Sequence, residues 1–359
     1  MGHDLTRRGL TLALAALGAA SPAIGVAAGR TAGANPSLAL VDPELRAAVR
    51  EPDKIRIPML REQDIPAFRR GGGGATPPPL ANPSVRQQLI PGRGDAPPVR
   101  IFIIDGGAAG ALRPAILHTH GGGYILGSPQ NDMPNLQRIA AEQGCLIVSV
   151  DYRLAPETRF PGSLEDNYVG LLWLHDHADQ LAVDRKRIVV MGESAGGGHA
   201  AALALAARDR GEVPLAGQVL VYAMLDDRTG SVRRTSPYQG AYIWTPELNV
   251  LGWSALLGVP AGSSAVPRGA VPARAASLVG LPPTFIGVGA LDLFVQEDIE
   301  YARRLLDAGV PTELVVAPGA FHAFQFVVPT AQVSRQFSRA IDTALGRMLR
   351  PGPSEGPGA

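Results

Sequence analysis

A single cysteine, Cys145, stands among the 359 residues, so no internal disulfide can form and stability must come from burial alone. That cysteine opens the apolar run Cys145-Leu146-Ile147-Val148, which reads as a buried, inert strand rather than a reactive site. An excess of charge of either sign is also missing: 18% of residues are charged and the net charge is +1. Without a long-range field, nucleic acid and anionic membrane surfaces are poor partners, and a small neutral molecule fits better. Paired cysteines and a His-Glu-x-x-His helix are absent, which removes the usual zinc frameworks. The pairs His118-x-His120 and His175-x-His177 remain, but side chains two apart on a helix face different ways, so neither a metal nor another cofactor is expected. No internal repeat is found. What is present is a hydrophobic fraction of 46%, enough for a large buried core.

The first thirty residues differ from the rest. Thr6-Arg7-Arg8-Gly9-Leu10 leads into an uncharged Ala- and Leu-rich stretch to Ala20, with small residues at Val26-Ala27-Ala28 for cleavage. This resembles a twin-arginine signal peptide and implies a periplasmic or secreted protein. A cytoplasmic leader is the alternative. A retained anchor is disfavoured by Pro22 and the shortness of the run, so no stable membrane insertion of the mature chain is expected.

Residues 31–95 read as an N-terminal linker and cap region, since Gly71-Gly72-Gly73-Gly74 and Pro77-Pro78-Pro79 resist regular structure. Residues 96–350 form the expected catalytic domain and 351–359 a disordered tail. Short apolar runs predict strands at Val99–Ile104, Ala115–His118, Leu146–Val150, Ile188–Met191, Gln218–Tyr222, Phe285–Val288 and Glu313–Val316. Helical spacing of apolar residues marks Leu164–Leu174, Ala200–Ala207, Ile299–Leu306 and Phe337–Leu349. Such alternation predicts an α/β fold with a mainly parallel central sheet flanked by helices. Residues 228–272 interrupt it and gather Tyr238, Tyr242, Trp244 and Trp253, which suggests a cap insertion or lid.

Ile188 to Met191 runs into Gly192-Glu193-Ser194-Ala195-Gly196 and then into an Ala-rich helix. Gly-x-Ser-x-Gly in this setting is a nucleophile elbow: a tight strand-to-helix turn whose glycines remove colliding side chains and whose serine is presented at a helix N-terminus. A second signal, His118-Thr119-His120-Gly121-Gly122-Gly123-Tyr124, also follows an apolar strand. It lacks the Lys-Ser/Thr ending and the Gly-x-Gly-x-x-Gly spacing of phosphate loops. Acyl transfer needs donors about 3 Å from a forming oxyanion, and the amides of Gly122, Gly123 and Ala195 suit that role as an oxyanion hole. Tyr124 beside them is a candidate substrate-binding residue, while His120 is expected to brace the loop.

A serine hydroxyl needs a base to take its proton and an acid to orient that base. In elbow-bearing folds both follow the serine, which leaves His199 and His322. His199 sits within the helix after the elbow, where packing directs its ring. His322 follows a strand and precedes the last helix, so it is the expected base. Asp292, after the strand before it, is favoured as the acid over Asp226 and Asp227, which lead into the insertion and suit capping.

These residues resemble one family, the hormone-sensitive-lipase-like (family IV) carboxylesterases of the α/β-hydrolase fold. The likeness rests on His120-Gly121-Gly122-Gly123, Ser149-Val150-Asp151-Tyr152-Arg153-Leu154-Ala155-Pro156-Glu157, the elbow, Gly280-Leu281-Pro282-Pro283, Asp292, Tyr301 to Leu305, and Pro318-Gly319 before Phe321-His322. It implies a hydrolase with the catalytic triad Ser194, Asp292 and His322, an N-terminal cap, and short- or medium-chain carboxylic esters cleaved through an acyl-serine. Tyr152-Arg153 and Glu157 look like its structural brace. Three positions depart from the pattern: Glu193, Gln296 and Ala323. A lactonase or acyltransferase would use the same triad. A non-catalytic ligand-binding relative is the reading from a different class, and retention of His322 argues against it. Whether two chains pair as a homodimer is left open.

Overall fold

The computed structural model describes residues 35–50, 55–70, 76–107 and 112–350. The expected signal segment, the Gly71–Gly74 run and the expected tail lie outside the described residues.

Eight strands form one sheet: β1 (Val85–Ile90), β2 (Val99–Asp105), β3 (Arg113–Thr119), β4 (Leu146–Asp151), β5 (Val183–Glu193), β6 (Gly217–Val221), β7 (Thr284–Gly289) and β8 (Thr312–Ala317). Their spatial order is β1-β2-β4-β3-β5-β6-β7-β8. The pairings β1 with β2 and β2 with β4 are antiparallel, and every pairing from β4 through β8 is parallel. Among the described residues there are six long helices, α1 (Pro129–Gln143), α2 (Gly162–Asp176), α3 (Ala195–Arg210), α4 (Pro246–Leu257), α5 (Val295–Asp307) and α6 (Gln332–Met348), all of which except α4 pack on the sheet faces.

Strand periodicity divides the core into two layers, because successive side chains point to opposite faces. Leu117, Val190, Leu220 and Ile286 face α2, α3 and α5 through Leu171, Leu203 and Leu305. Their strand neighbours Ile116, Val189, Val219 and Phe285 face α1 and α6 through Leu136, Ile139, Phe337 and Ile341. Each such side chain, fully buried, contributes about 1.5–3 kcal/mol, which is how a chain without disulfides holds this sheet. In a third cluster Ile65, Trp244, Leu248, Trp253 and Leu256 pack with Phe294 over one end of the sheet.

Two elements differ from the sequence reading. Val85–Ile90, inside the region read as linker and cap, is an edge strand whose alternation is mostly solvated, with Leu89 65% exposed. Helix α1 carries Pro129 and Pro134, which disguise it. Pro129 sits at the first helical position, where no amide bond is lost. Ser128 N–H donates to Asn131 Oδ1 (2.9 Å) at its start, and Gly144 in the left-handed region ends it. No described helix is long and apolar enough to cross a membrane.

Candidate active site

The carboxyl ends of β3, β5, β6, β7 and β8 converge, the usual location of a site in an open parallel sheet. At the end of β5, Ser194 has φ 57° and ψ −122°, a conformation L-residues rarely adopt. Its amide donates to Val221 O (2.9 Å), and its carbonyl accepts from the amides of Met224 (2.9 Å) and Gly198 (3.1 Å). The glycines on either side are sterically compelled. A Cβ at Gly192 would lie 2.4 Å from the Gly196 carbonyl, and one at Gly196 only 2.0 Å from Thr119 O.

His322 Nε2 is 3.0 Å from Ser194 Oγ, and its Nδ1 is 2.8 Å from Asp292 Oδ2. The other carboxylate oxygen of Asp292 accepts from Phe294 N–H (3.0 Å). All three side chains are buried, Asp292 completely and Ser194 and His322 at 6% and 5% exposure. The imidazole stands edge-on to Tyr222 and Phe294, with centroids 4.8 and 5.4 Å away, so its plane is fixed by packing as well as by hydrogen bonds. The competing acids are engaged elsewhere. Asp227 receives Arg274 Nε and Gly262 N–H (both 2.7 Å), and Asp226 receives Arg228 (2.8 Å) and Arg233 (3.1 Å).

Two further buried histidines near the elbow, His120 and His199, favour the uncharged form. Burial lowers both His120 and His199 to about 3. His120 stacks on Tyr152 at 4.1 Å, and its Nδ1 lies 2.8 Å from Gly121 O; Tyr152 Oη donates to His120 O (2.6 Å). His199 packs edge-on to Tyr124 and Tyr152.

The glycine loop lies against the elbow: a Cβ at Gly121 would be 3.5 Å from Ser194 Cβ. Gly122 (φ 125°), Gly123 (φ 62°) and Tyr124 (φ 67°) all turn through positive φ. The amides of Gly122, Gly123 and Ala195 donate no hydrogen bond among the described residues, which leaves three donors free beside Ser194.

Tyr124 corrects the sequence reading. Its left-handed backbone turns the ring away from the cavity and beneath the loop, where it is 2% exposed against Trp253, with Oη donating to Met224 O (2.9 Å). It lines no part of the cavity holding Ser194. That cavity measures about 490 Å³ and is bounded by Ile57, Leu126, Tyr222, Ile243, Trp244 and Phe326, with Arg69, Asp132 and Glu193 as charged members. Of the insertion's aromatics, Trp244 reaches it, Tyr242 and Trp253 are buried in the interior, and Tyr238 is exposed. Tyr222 and Asp132 were not singled out from sequence. The first sits just past β6, a strand-end position that signals a site; the second lies in the first turn of the unrecognised α1.

Arg153 clamps Asp166 through Nε and Nη2 (2.8 and 2.7 Å), and Glu157 receives Arg69 (2.9 Å), as expected of a structural brace. Gln296 is exposed and pairs with Gln239 (3.1 Å). Glu193 faces His118 Nε2 at 2.9 Å, while His118 Nδ1 meets Ser149 Oγ at 2.8 Å. Burial opposes charge on His118, but the Glu193 carboxylate outweighs it and the pKa is raised. Among the described residues, His118, Asp132 and Glu193 are the one trio whose ligand-type atoms lie within 4.8 Å of each other, although two of the three are hydrogen-bonded together.

A sequence profile of the alpha/beta hydrolase fold matches residues 116–326. Esterase LipI of Mycobacterium tuberculosis is 34% identical over 229 residues, covering 62% of this chain and 69% of that protein. Carboxylesterase NlhH of Mycobacterium tuberculosis is 33% identical over 232 residues, 61% of this chain and 69% of that one. Among solved structures, a bacterial heroin esterase superposes with a TM-score of 0.77 at 37% identity, covering 88% of this chain and 99% of the other. The chain belongs to the α/β-hydrolase fold family, within its hormone-sensitive-lipase-like branch.

Proposed function

We propose that the protein is a serine carboxylesterase in which Ser194 is the nucleophile, His322 the general base and Asp292 the residue that orients it. The observation carrying this reading is the unbroken series Asp292 Oδ2 to His322 Nδ1 (2.8 Å) and His322 Nε2 to Ser194 Oγ (3.0 Å). His322 Nε2 takes the hydroxyl proton as Oγ bonds to the ester carbonyl carbon. The carbonyl oxygen becomes an oxyanion, received by the amides of Gly122, Gly123 and Ala195. Collapse breaks the bond to the alcohol, which leaves with the proton from His322 and an acyl-Ser194 behind. Water then gives its proton to His322, attacks the acyl carbon, and releases the carboxylic acid as Oγ regains a proton. Esterase names among the relatives support the substrate class. The modest, mainly apolar cavity supports short to medium acyl chains.

The test is hydrolysis of p-nitrophenyl butanoate with fluorophosphonate labelling. Wild type should turn over and carry the label on Ser194, and Ser194→Ala should lose about 10⁴-fold or more in kcat. Ser194→Ala activity within tenfold of wild type would overturn the assignment. We further propose export through the Arg7-Arg8 segment. Sequencing the N-terminus of protein from fractionated cells tests it, and cytoplasmic protein beginning at Met1 would refute it.

A further inference from the structure

Among the described residues, Asp132 is the one acid lining the Ser194 cavity whose carboxylate accepts no hydrogen bond, although His118 lies within 4.8 Å of it. It lies in the first turn of α1, and no described residue donates a hydrogen bond to its carboxylate. The other charges there are satisfied. Glu193 is bonded to His118, and Arg69 is held by Ile125 O (2.6 Å), by Ala155 O and by Glu157. Asp132 also lines an adjoining cavity of about 790 Å³, so it stands where the two open spaces meet, within reach of anything that enters either. Burial and the neighbouring Glu193 push its carboxyl up to about 7, with His118 pulling the other way. Asp132 is part-buried and faces the cavity with its carboxylate within 4.8 Å of the Glu193 carboxylate, and a cation entering the cavity is the group that relieves two acids held so close. Arg69 is committed to Ile125 O, Ala155 O and Glu157, and His118 is bonded to Glu193 and faces Asp132 only from a distance, so a cation that pairs with Asp132 directly arrives with the ligand.

We propose that Asp132 recognises a basic nitrogen, so that the esters this cavity selects are those bearing an ammonium group. The inference rests on the carboxylesterase reading above. A protonated amine would donate to the Asp132 carboxylate while its hydrocarbon portion covers Ile57, Leu126 and Phe326. A charge-assisted hydrogen bond in such a setting returns about tenfold or more in kcat/KM.

The experiment compares isosteric pairs that differ only in nitrogen against carbon. One pair is 2-(dimethylamino)ethyl butanoate and 3-methylbutyl butanoate, with the amine on the alcohol side. The other is ethyl 4-(dimethylamino)butanoate and ethyl 5-methylhexanoate, with the amine on the acyl side. In at least one pair, the amine-to-carbon ratio of kcat/KM should be about tenfold higher in wild type than in Asp132→Asn, which retains the shape and loses the charge. Intrinsic reactivity differences cancel in that comparison, and a merely structural role would slow both members equally. The same ratio in both proteins for both pairs overturns the inference and leaves ester hydrolysis standing. Failure of wild type to cleave any of the four removes the carboxylesterase reading itself. A measurement on wild type alone covers misfolding of the variant: trimethylammonium chloride should inhibit 3-methylbutyl butanoate hydrolysis competitively, beyond sodium chloride at equal ionic strength. Equal effects of the two salts would again overturn the proposal.

Discussion

Gly123→Ala isolates the contact between the glycine loop and Trp244, in the segment between β6 and β7. An alanine Cβ at this position would lie 1.9 Å from Trp244 Cη2 and 2.3 Å from Cζ2, where ordinary carbon contacts fall at about 3.5–4.0 Å. The indole cannot withdraw, being 2% exposed with its N–H on Asn249 Oδ1 (3.3 Å), whose amide in turn donates to Thr229 O (2.8 Å). The loop must therefore move, at an overpacking cost of about 1–3 kcal/mol. The φ of +62° adds ~1–2 kcal/mol for any residue with a Cβ. Moving the loop displaces the amides of Gly122 and Gly123, and loss of one oxyanion donor lowers kcat by about 10²–10³. If the clash with the indole is the cause, Trp244→Leu in the same chain clears the space and restores the loop. Kinetics on p-nitrophenyl butanoate, with urea unfolding to confirm folding, should show Gly123→Ala down about 10²-fold or more. The double variant should return to within about tenfold of Trp244→Leu alone. A double variant no faster than Gly123→Ala, or a single variant within tenfold of wild type, would refute the steric argument.

His199 is held neutral by burial to about pH 3, whereas in an unfolded chain it titrates near 6.5. The native state thus binds fewer protons across that window, so this contribution is complete above pH 6.5 and is lost as pH falls toward 3, by at most ~5 kcal/mol. Urea unfolding at pH 7 and pH 4.5 should show a smaller acid loss in His199→Leu than in wild type, and equal losses would refute the assignment. Cys145 is fully buried and burial pushes its thiol up to about 12. Ellman's reagent should leave it untouched in the native protein and label it fully in denaturant; fast native labelling would contradict its burial. Ala323, next to His322, has φ +57°. Ala323→Gly should alter stability by less than ~1 kcal/mol, whereas Ala323→Val should cost ~1–2 kcal/mol because a branched side chain tolerates this conformation poorly; thermal unfolding decides.

What could be read in advance was whatever a local steric or periodic rule compels. Gly192 and Gly196 are glycine because each would otherwise drive a Cβ into backbone, and that necessity is visible as spacing alone. The inner parallel strands were visible because both faces are covered, so Leu146-Ile147-Val148 reads as an unbroken apolar run. The edge strand β1 was not, since half of Val85-Arg86-Gln87-Gln88-Leu89-Ile90 faces water and its pattern is faint. Tyr124 shows a different limit. Proximity in sequence to the glycines suggested contact with substrate, but side-chain direction depends on φ, and a left-handed residue amid glycines carries no signal of that in its identity. Asp132 escaped because its environment is assembled from three separate segments. His118 on β3 and Glu193 on β5 meet it from positions 14 and 61 residues away.

The same contrast separates reaction from selection in this molecule. Ser194 and Asp292 stand just past the buried ends of β5 and β7, and His322 follows the half-exposed edge strand β8 between Phe321 and Phe324, whose burial in the core fixes its backbone. The cavity walls come instead from Ile57 and Arg69 in the N-terminal region, Leu126 after the glycine loop, Ile243 and Trp244 in the insertion, and Phe326 before the last helix. Loops tolerate substitution and insertion better than strand ends do. Arg69, in the short helix Ile65–Arg70, shows how such a wall is secured: its guanidinium spans Ile125 O, Ala155 O and Glu157, tying the N-terminal region to both the glycine loop and the brace. Charge-assisted bonds of this kind resist local opening at a point where apolar burial is thin. Changes to the walls should therefore act first on which ester is bound and how tightly, while changes at the strand ends act on the bond-making step. The unpaired carboxylate of Asp132 belongs to the walls by position, although it is rooted in a helix of the core.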